Sequence, residues 1–204
     1  MRTLYDFERS GNCHKVRMML AFLGLDYEKA NIDLLGGDQN TPEFLAINPL
    51  HKVPVLDDGG FILRDSAAIL IYLTQKYDGG AWYPDDADTR GEIQQWLSFS
   101  VYDIANSFLL ARALVIFKRE GDLDGVEALS RNALQVLENH LKTREWLVSD
   151  HVTIADIACY PYTALLEEGR LSLDSYPAVR QWIARVEALP GYEAMPGLPF
   201  GEKG

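Results

Sequence analysis

Hydrophobic and polar positions follow two alternating patterns in the first 78 residues of the chain. Thr3–Phe7 alternates with a period of two, which predicts a strand, and the run from Tyr27 to Asp33 predicts a second one. Between them, apolar residues from Val16 to Leu23 recur at helical spacing, and Gly24 ends that helix. The chain therefore begins as a strand–helix–strand unit.

Two more strands and two more helices are predicted between residues 41 and 77. Thr41 can cap a short helix that has Pro42 at its first position. Two apolar runs flank Gly59 and Gly60, which predicts a hairpin, and a helical pattern runs over 66–77. This order of elements predicts a small mixed sheet covered by helices.

Strand patterns disappear after residues 78–88, a break rich in glycine and aspartate. Thr153 and Asp156 have the spacing of a capping box at a helix start, and the tail from Pro190 is predicted to be irregular. Helical patterns run over about 89–119, 123–143, 153–168 and 177–189. We therefore expect an α/β domain over 1–78, a linker over 79–88 and an all-helical domain over 89–204.

Composition narrows the possible partners. A hydrophobic fraction of 48% and a charged fraction of 24% are ordinary for a globular protein, and the net charge of −11 argues against nucleic acid or an anionic membrane. Cys13 and Cys159 are too few and too far apart for a disulfide framework. The first residues show no secretory signal, and no apolar stretch approaches membrane length, so we expect a cytoplasmic protein.

One segment of the α/β half suits a small charged peptide as ligand. Pro54 lies in a strand-like run, where it removes a ladder donor and leaves backbone groups of Val53 able to pair with something else. Asp65 and Ser66 stand at a helix start, where exposed backbone amides favour an anion such as a carboxylate.

A second candidate lies between the first strand and the first helix. Ser10 and Cys13 have the spacing of a redox Cys-x-x-Cys pair, but a dithiol cycle needs two sulfurs. A hydroxyl near a helix N-terminus can instead stabilise a bound thiolate. Two alternatives stay open here. Ser10 and Asn12 cap well, and both could serve the helix alone. Cys13 is either a thiol with a depressed pKa, which would allow a mixed disulfide, or a small apolar residue packed beneath the helix, which is the interpretation we favour.

Four segments together resemble the cytosolic glutathione transferases, of a bacterial or theta-like serine type. These segments are 10–17, 48–56, 65–69 and 153–156, in the order that the family has them. The resemblance implies a thioredoxin-like N-terminal domain with an all-α C-terminal domain, a homodimer, and glutathione as co-substrate without a metal.

The resemblance also implies roles for individual residues. Ser10 would activate the glutathione thiol with Asn12 assisting, although many members have proline where Asn12 stands. Val53 would pair its backbone with the cysteinyl unit, with Pro54 cis. By the same resemblance, His51 and Lys52 would bind the glycine carboxylate. Asp65 would bind the γ-glutamyl ammonium. Ser66 and the helix end would bind the γ-glutamyl carboxylate.

The electrophile site is expected between the loop of Ser10 and the long helix that follows the linker. Tyr102, Asn106 and Arg112 are the candidates on that helix, although a salt bridge is the simpler role for Arg112. Asp103 could reach the ammonium of glutathione bound to the partner subunit.

The function that follows is detoxifying transfer of glutathione to a soft electrophile in an apolar pocket. Peroxidase or disulfide-reductase activity is a close variant, because the same thiolate can attack a peroxide or a disulfide. The alternative is a non-catalytic glutathione-binding or regulatory protein, since fold alone does not determine function.

Overall fold

The computed structural model describes residues 1–195, which form two compact units. The first unit comprises residues 1–77 together with the segment that begins at Pro190, and the second comprises residues 78–189. The sequence interpretation had placed the tail from Pro190 in the helical half, whereas its described part belongs to the α/β unit. The rest of that predicted irregular tail, 196–204, lies outside the described residues.

A four-stranded mixed sheet forms the centre of the first unit, as predicted. The strands are β1 (Arg2–Asp6), β2 (Glu28–Asn31), β3 (Val55–Asp58) and β4 (Phe61–Arg64), in the spatial order β2-β1-β3-β4. β1 pairs with β2 in parallel, and the other two pairings are antiparallel. The third strand begins one residue after Pro54, which is a position that proline tolerates.

Three helices accompany the sheet: α1 (Gly11–Phe22), α2 (Pro42–Ile47) and α3 (Ser66–Tyr77), with a short 3₁₀ turn at Asp38–Asn40. Thr41 caps α2 as predicted, because its side chain accepts a hydrogen bond from the backbone N–H of Phe44. Gly24 ends the α1 region with a φ of 62°, a left-handed conformation that glycine adopts readily.

The strand register brings three loop segments to one end of the sheet. Tyr5 near the end of β1 is opposite Val55 at the start of β3, and Val55 is opposite Arg64 at the end of β4. The chain segments that follow β1, precede β3 and follow β4 therefore share that end of the sheet. They carry the predicted site residues Ser10, Val53, Pro54, Asp65 and Ser66.

The second unit is helical over its described length, as predicted. Its elements are α4 (Ala87–Phe99), a π-helical segment (Ser100–Leu109), α5 (Leu110–Ile116), α6 (Leu123–Leu141), α7 (Ile154–Ala164), a 3₁₀ turn (Leu166–Gly169) and α8 (Pro177–Glu187). The first three form one continuous helix, Ala87–Ile116, where the pattern predicted 89–119.

The π-helical segment was not foreseen from the sequence, and two side chains hydrogen-bond backbone carbonyls within it. Asn106 Nδ2 donates to the carbonyl of Tyr102 at 2.8 Å, and Ser107 Oγ donates to the carbonyl of Asp103 at 2.5 Å. These donors compete for carbonyls that an α-helix would pair with the N–H four residues later.

The same continuous helix corrects one expectation from the sequence. Ala87–Ile116 contains a stretch long and apolar enough to cross a membrane by length and composition, although no stretch of that kind was expected. In that stretch 44% of the residues are buried inside the protein. Because core helices of soluble proteins pass the same test, it is weak evidence for a span.

The predicted capping box at the start of α7 is confirmed, and it reaches further than predicted. The side chains of Thr153 and Asp156 each accept a hydrogen bond from the other residue's backbone N–H, and Thr153 N–H donates to Asp156 Oδ2 at 2.9 Å. Asp156 Oδ1 also accepts from Leu147 N–H at 3.0 Å and from Trp182 Nε1–H at 2.9 Å. Its carboxyl group thus ties α7 to a neighbouring loop and to α8. Burial raises the pKa of this carboxyl group to about 6, although its hydrogen bonds from Leu147, Thr153 and Trp182 oppose the shift.

A second buried carboxylate joins α6 to the N-terminus of α8. Glu138 is buried, and its Oε2 accepts from the backbone N–H groups of Ala178 at 3.0 Å and Val179 at 3.1 Å. The residue before α8, Tyr176, makes no side-chain cap. Glu138 therefore supplies from a distant helix the cap that the local sequence lacks.

Candidate functional site

The loop between β1 and α1 ends at Ser10, which caps α1. Ser10 N–H donates to the carbonyl of Phe7 at 2.9 Å, and Ser10 Oγ accepts from the N–H of Cys13 at 3.2 Å. Because the oxygen accepts this bond, the hydroxyl proton must point elsewhere and can be donated to another acceptor. Ser10 and Asn12 are both half-buried, with Asn12 in the first turn of the helix.

Of the two alternatives for Cys13, the depressed pKa is wrong and the packed thiol is confirmed. Cys13 is fully buried, and burial together with the negative charge of Asp6 raises its pKa to about 12. Its position in the first helical turn suggested the opposite, but loss of water outweighs the helix dipole. Cys13 packs in a hydrophobic cluster with Phe44, Val53 and Val55, which fits the alternative of a thiol packed beneath the helix.

The peptide bond between Val53 and Pro54 is cis, as the resemblance implied. Both residues are buried, and Val53 shares its hydrophobic cluster with Cys13, three residues after Ser10. The cluster therefore holds the start of α1 against the segment before β3. Ser10 and the Val53 backbone belong to the same end of the unit.

The loop that precedes Val53 is organised by two asparagines that the sequence interpretation did not assign. Buried Asn48 donates from Nδ2 to the carbonyl of Lys52 at 2.7 Å and accepts at Oδ1 from Leu50 N–H at 3.0 Å. His51 Nδ1 lies 2.8 Å from Asn40 Oδ1. The Asn-Pro dipeptide at 48–49 was the available signal for Asn48, since it marks a turn. Asn40 carried no comparable signal.

Asp65 uses one carboxylate oxygen to cap α3. It has a φ of 77°, and its Oδ1 accepts from the backbone N–H groups of Ala67 at 3.0 Å and Ala68 at 3.1 Å. The expectation of exposed amides at this helix start is therefore wrong for these two positions. Ser66, the first residue of α3, is 5% exposed.

The candidates on the long helix separate into two groups. Tyr102, Asp103 and Asn106 are exposed, with Tyr102 70% exposed. Arg112 is buried, and its Nε lies 2.5 Å from Glu168 Oε2. An ion pair inside the helical unit thus balances the charge of Arg112, which is the simpler role the sequence allowed. Over residues 1–195, no three or more His, Cys, Asp or Glu side chains are grouped to hold a metal ion.

Family comparisons agree with this arrangement over most of the chain. Residues 4–81 match the model described as "Glutathione S-transferase, N-terminal domain", and residues 96–190 match "Glutathione S-transferase, C-terminal domain". Glutathione S-transferase theta-2 of Mus musculus is 35% identical over 185 residues, which cover 83% of this chain and 74% of the mouse protein.

Solved structures show the same likeness. A glutathione S-transferase from Pseudomonas fluorescens is 36% identical with a TM-score of 0.90, over 96% of this chain and 98% of that one. Another glutathione transferase family member from the same species, solved with two glutathione molecules bound, is 32% identical with a TM-score of 0.82, over 93% and 89% of the two chains.

The fold and the matches define a protein with a thioredoxin-like N-terminal domain and a helical C-terminal domain. The chain belongs to the glutathione S-transferase family. Its homologues are glutathione S-transferases, which confirms the predicted transferase class, and homologous structures bind glutathione.

Proposed function

We propose that this protein is a glutathione transferase in which the Ser10 hydroxyl donates a hydrogen bond to the glutathione thiolate. One observation carries the proposal: Ser10 Oγ accepts from Cys13 N–H at 3.2 Å at the N-terminus of α1, so the hydroxyl keeps a proton that it can donate to the ligand sulfur in place of the Cys13 thiol. The helix dipole favours an anion at the same place. Asn12, in the first turn, is proposed as the assisting residue.

The energy needed for activation matches what this arrangement can supply. Lowering the pKa of a thiol by two units from about 8.5 requires roughly 2.7 kcal/mol of preferential stabilisation of the thiolate. One hydrogen bond to a charged group supplies roughly 1.5–3 kcal/mol, and the helix dipole adds a smaller amount. The protein would need no covalent intermediate, because it positions and activates the co-substrate thiol.

The rest of glutathione would be bound by groups at the same end of the α/β unit. The backbone of Val53, beside the cis Pro54, would pair with the cysteinyl unit. Lys52 and His51 would bind the glycine carboxylate from a loop that Asn48 and Asn40 hold in place.

The γ-glutamyl end of glutathione would lie at the start of α3. A carboxylate has about four lone-pair sites, so Asp65 can cap the helix with Oδ1 and still accept from the ligand ammonium. The hydroxyl and N–H of Ser66 would then donate to the γ-glutamyl carboxylate.

For the second substrate, Tyr102 and Asn106 are the proposed contacts, because both side chains are exposed. Arg112 is not included, since Glu168 balances its charge. The substrate class would be small soft electrophiles, with peroxides or disulfides as variants of the same thiolate chemistry. We further propose a cytoplasmic homodimer in which Asp103 reaches the glutathione ammonium of the partner subunit.

The test is an ultraviolet titration of thiolate absorbance with glutathione bound to wild-type protein and to Ser10→Ala. We expect a bound thiol pKa about two units below that of the free thiol in wild type, and its return toward the free value in Ser10→Ala. Asn12→Ala should show a smaller shift, and the exposed Ser175→Ala should match wild type.

Two other outcomes would change the assignment. A Ser10→Ala variant that still forms thiolate at low pH would move activation to Asn12 or another group. Wild-type protein that binds glutathione without lowering the thiol pKa would favour the alternative, a binding or regulatory protein on the same fold.

A further inference from the structure

A buried ion pair lies directly behind the loop that carries Ser10. Asp6 ends β1 and is fully buried, and Arg17 on α1 is 5% exposed. One guanidinium nitrogen of Arg17 bonds Asp6 Oδ1, and the other donates to the backbone carbonyl of Glu8 at 3.0 Å. The guanidinium therefore bridges the end of the strand and the middle of the loop.

The loop has only three residues between β1 and Ser10, and hydrogen bonds hold the first two, Phe7 and Glu8. Phe7 N–H donates to Cys13 Sγ at 3.5 Å, and the Phe7 carbonyl accepts from Ser10 N–H at 2.9 Å. The Glu8 carbonyl is the point that Arg17 holds from the second turn of α1. A shift of that carbonyl would move the backbone two residues before the Ser10 hydroxyl.

Stability alone is a weak reason for this pair. Replacing a buried ion pair with apolar residues is often neutral or stabilising, because removing two charges from water costs as much as their attraction returns. The fork of a guanidinium, however, can bond a carboxylate and a carbonyl at once in fixed geometry, which an ammonium group does not reproduce.

We propose that Arg17, anchored by Asp6, is a positioning residue that sets the place of the Ser10 hydroxyl by holding the Glu8 carbonyl. This inference rests on the proposed function, because it concerns the hydroxyl assigned there to the thiolate. Arg17 touches no reacting atom in this assignment. Its effect reaches the sulfur through the loop backbone and through its charge.

The charges around the loop determine which variants are informative. Lys29 Nζ on β2 lies 3.2 Å from Asp6 Oδ2 and 3.9 Å from Glu8 Oε1, so a second cation faces the same carboxylate. Burial lowers the pKa of His14, the α1 residue after Cys13, to about 3, so His14 is neutral near pH 7. Removing Arg17 alone would leave Asp6 paired with Lys29 only, and a thiolate at the helix end would then meet more negative potential.

Arg17→Lys separates position from charge, because it keeps the cation and loses the bridge. We expect the pKa of the bound glutathione thiol to rise by about one unit relative to wild type. At a pH well below both pKa values, the variant should then hold about tenfold less thiolate than wild type. The Kd of S-methylglutathione, which has no ionisable thiol, should stay within about twofold, because its other contacts are untouched. Arg131→Lys, in an exposed ion pair with Glu127, is the matched control and should change neither quantity.

A second variant removes both charges, so that neither is left buried alone. Asp6→Asn combined with Arg17→Met should raise the thiol pKa as Arg17→Lys does, because the Glu8 carbonyl again loses its donor. An unchanged thiol pKa in both variants would overturn the inference, and so would a parallel loss of S-methylglutathione binding, which marks a merely structural role. If Ser10→Ala leaves the thiol pKa unchanged, the proposed function itself fails. If Ser10→Ala raises it and the Arg17 variants do not, only this inference fails.

Discussion

Asp156 illustrates how one side chain can be both a local cap and a tertiary junction. Its two oxygens accept from Leu147, Thr153 and Trp182, and the residue is completely buried. The helix cap could be predicted from the sequence, because Thr153 and Asp156 have capping-box spacing. The contacts with Leu147 and Trp182 leave no local pattern, since they depend on how α7 packs.

The titration of Asp156 should appear in the pH dependence of stability. Its folded-state pKa of about 6 lies above the ordinary 3.8, so the folded protein binds this proton more tightly than the unfolded chain does. The resulting contribution to stability is complete below pH 3.8 and is lost as the pH rises through 6. The pH window of interest is therefore the interval between these two values.

Asp156→Asn should be destabilising, and more so at pH 5 than at pH 7.5. The amide NH₂ cannot accept from Thr153 N–H, so a buried donor loses its partner at a cost of about 1–3 kcal/mol. The variant also lacks the protonation of Asp156 that stabilises the wild-type protein at low pH, so its loss of unfolding free energy relative to wild type is larger by about 1 kcal/mol at pH 5. Urea unfolding of both proteins at the two pH values measures this difference. Asp174→Asn, at an exposed position, is the control. If Asp156→Asn destabilised the protein equally at pH 5 and pH 7.5, the prediction would be contradicted.

Cys13 shows that position in a first helical turn does not by itself decide the pKa of a thiol. A thiol in the first turn of a helix is close to the positive end of the dipole, which favours the thiolate. What decides its pKa is burial in a cluster formed by Phe44, Val53 and Val55, residues 31 to 42 positions further along the chain. Sequence alone does not show that this cluster closes over the sulfur.

At the level of elements, helices with local signals were predicted well. Ser66–Tyr77 begins and ends at the predicted residues, and Thr41 caps α2 as expected. The π-helical segment Ser100–Leu109 was missed, because its apolar pattern is compatible with an α-helix. Within it, Asn106 and Ser107 donate to the carbonyls four residues earlier, contacts that the apolar pattern does not encode.

Glu138→Ala should loosen the attachment of α8 to α6. It removes the acceptor for the N–H groups of Ala178 and Val179 and leaves two largely buried donors unpaired, at a cost of about 3 kcal/mol. Glu138→Gln keeps a carbonyl oxygen and loses only the charge, so we expect about 1 kcal/mol. The measurement is the free energy of unfolding in urea.

The matched control for Glu138 is Glu127 on the same helix. Glu127 pairs with exposed Arg131 one turn away, so Glu127→Ala should cost only about 0.5 kcal/mol. Similar costs for Glu127→Ala and Glu138→Ala would show that Glu138 does not serve as the cap of α8.

For the whole molecule, the apolar edge of the sheet bears on the proposed homodimer. β4 is an edge strand, and its Phe61 and Ile62 are 51% and 47% exposed. Exposed apolar edge strands invite association unless they are covered. A second copy of the chain over this edge would provide that cover.

Ile62→Glu should therefore weaken the dimer. Wild-type protein is expected to have twice the 23.0 kDa mass of the chain in light scattering, and the variant to approach the mass of one chain. Leu35→Glu is the control, because Leu35 is 70% exposed but follows β2 at the opposite edge. A wild-type mass of one chain, or an Ile62→Glu variant that stays dimeric, would contradict this placement of the interface.

Most of the fold was predictable because its signals are local: strand alternation, caps and the Gly-Gly hairpin. The supports of the candidate site were not. Arg17 reaches Glu8 through the interior, and Asn40 reaches His51 across eleven positions. Neither contact joins residues at a separation that is typical of a helix, a strand or a capping motif, so the sequence pattern does not predict it.

The burial of both cysteines has a further consequence for a protein that handles reactive compounds. Cys13 and Cys159 are the chain's two thiols, and both are buried. A molecule able to alkylate glutathione could equally alkylate an accessible protein sulfur and inactivate its own catalyst. Because both of its thiols are buried, such an enzyme would resist alkylation by its own substrates, and these substrates would react with the sulfur of the co-substrate instead.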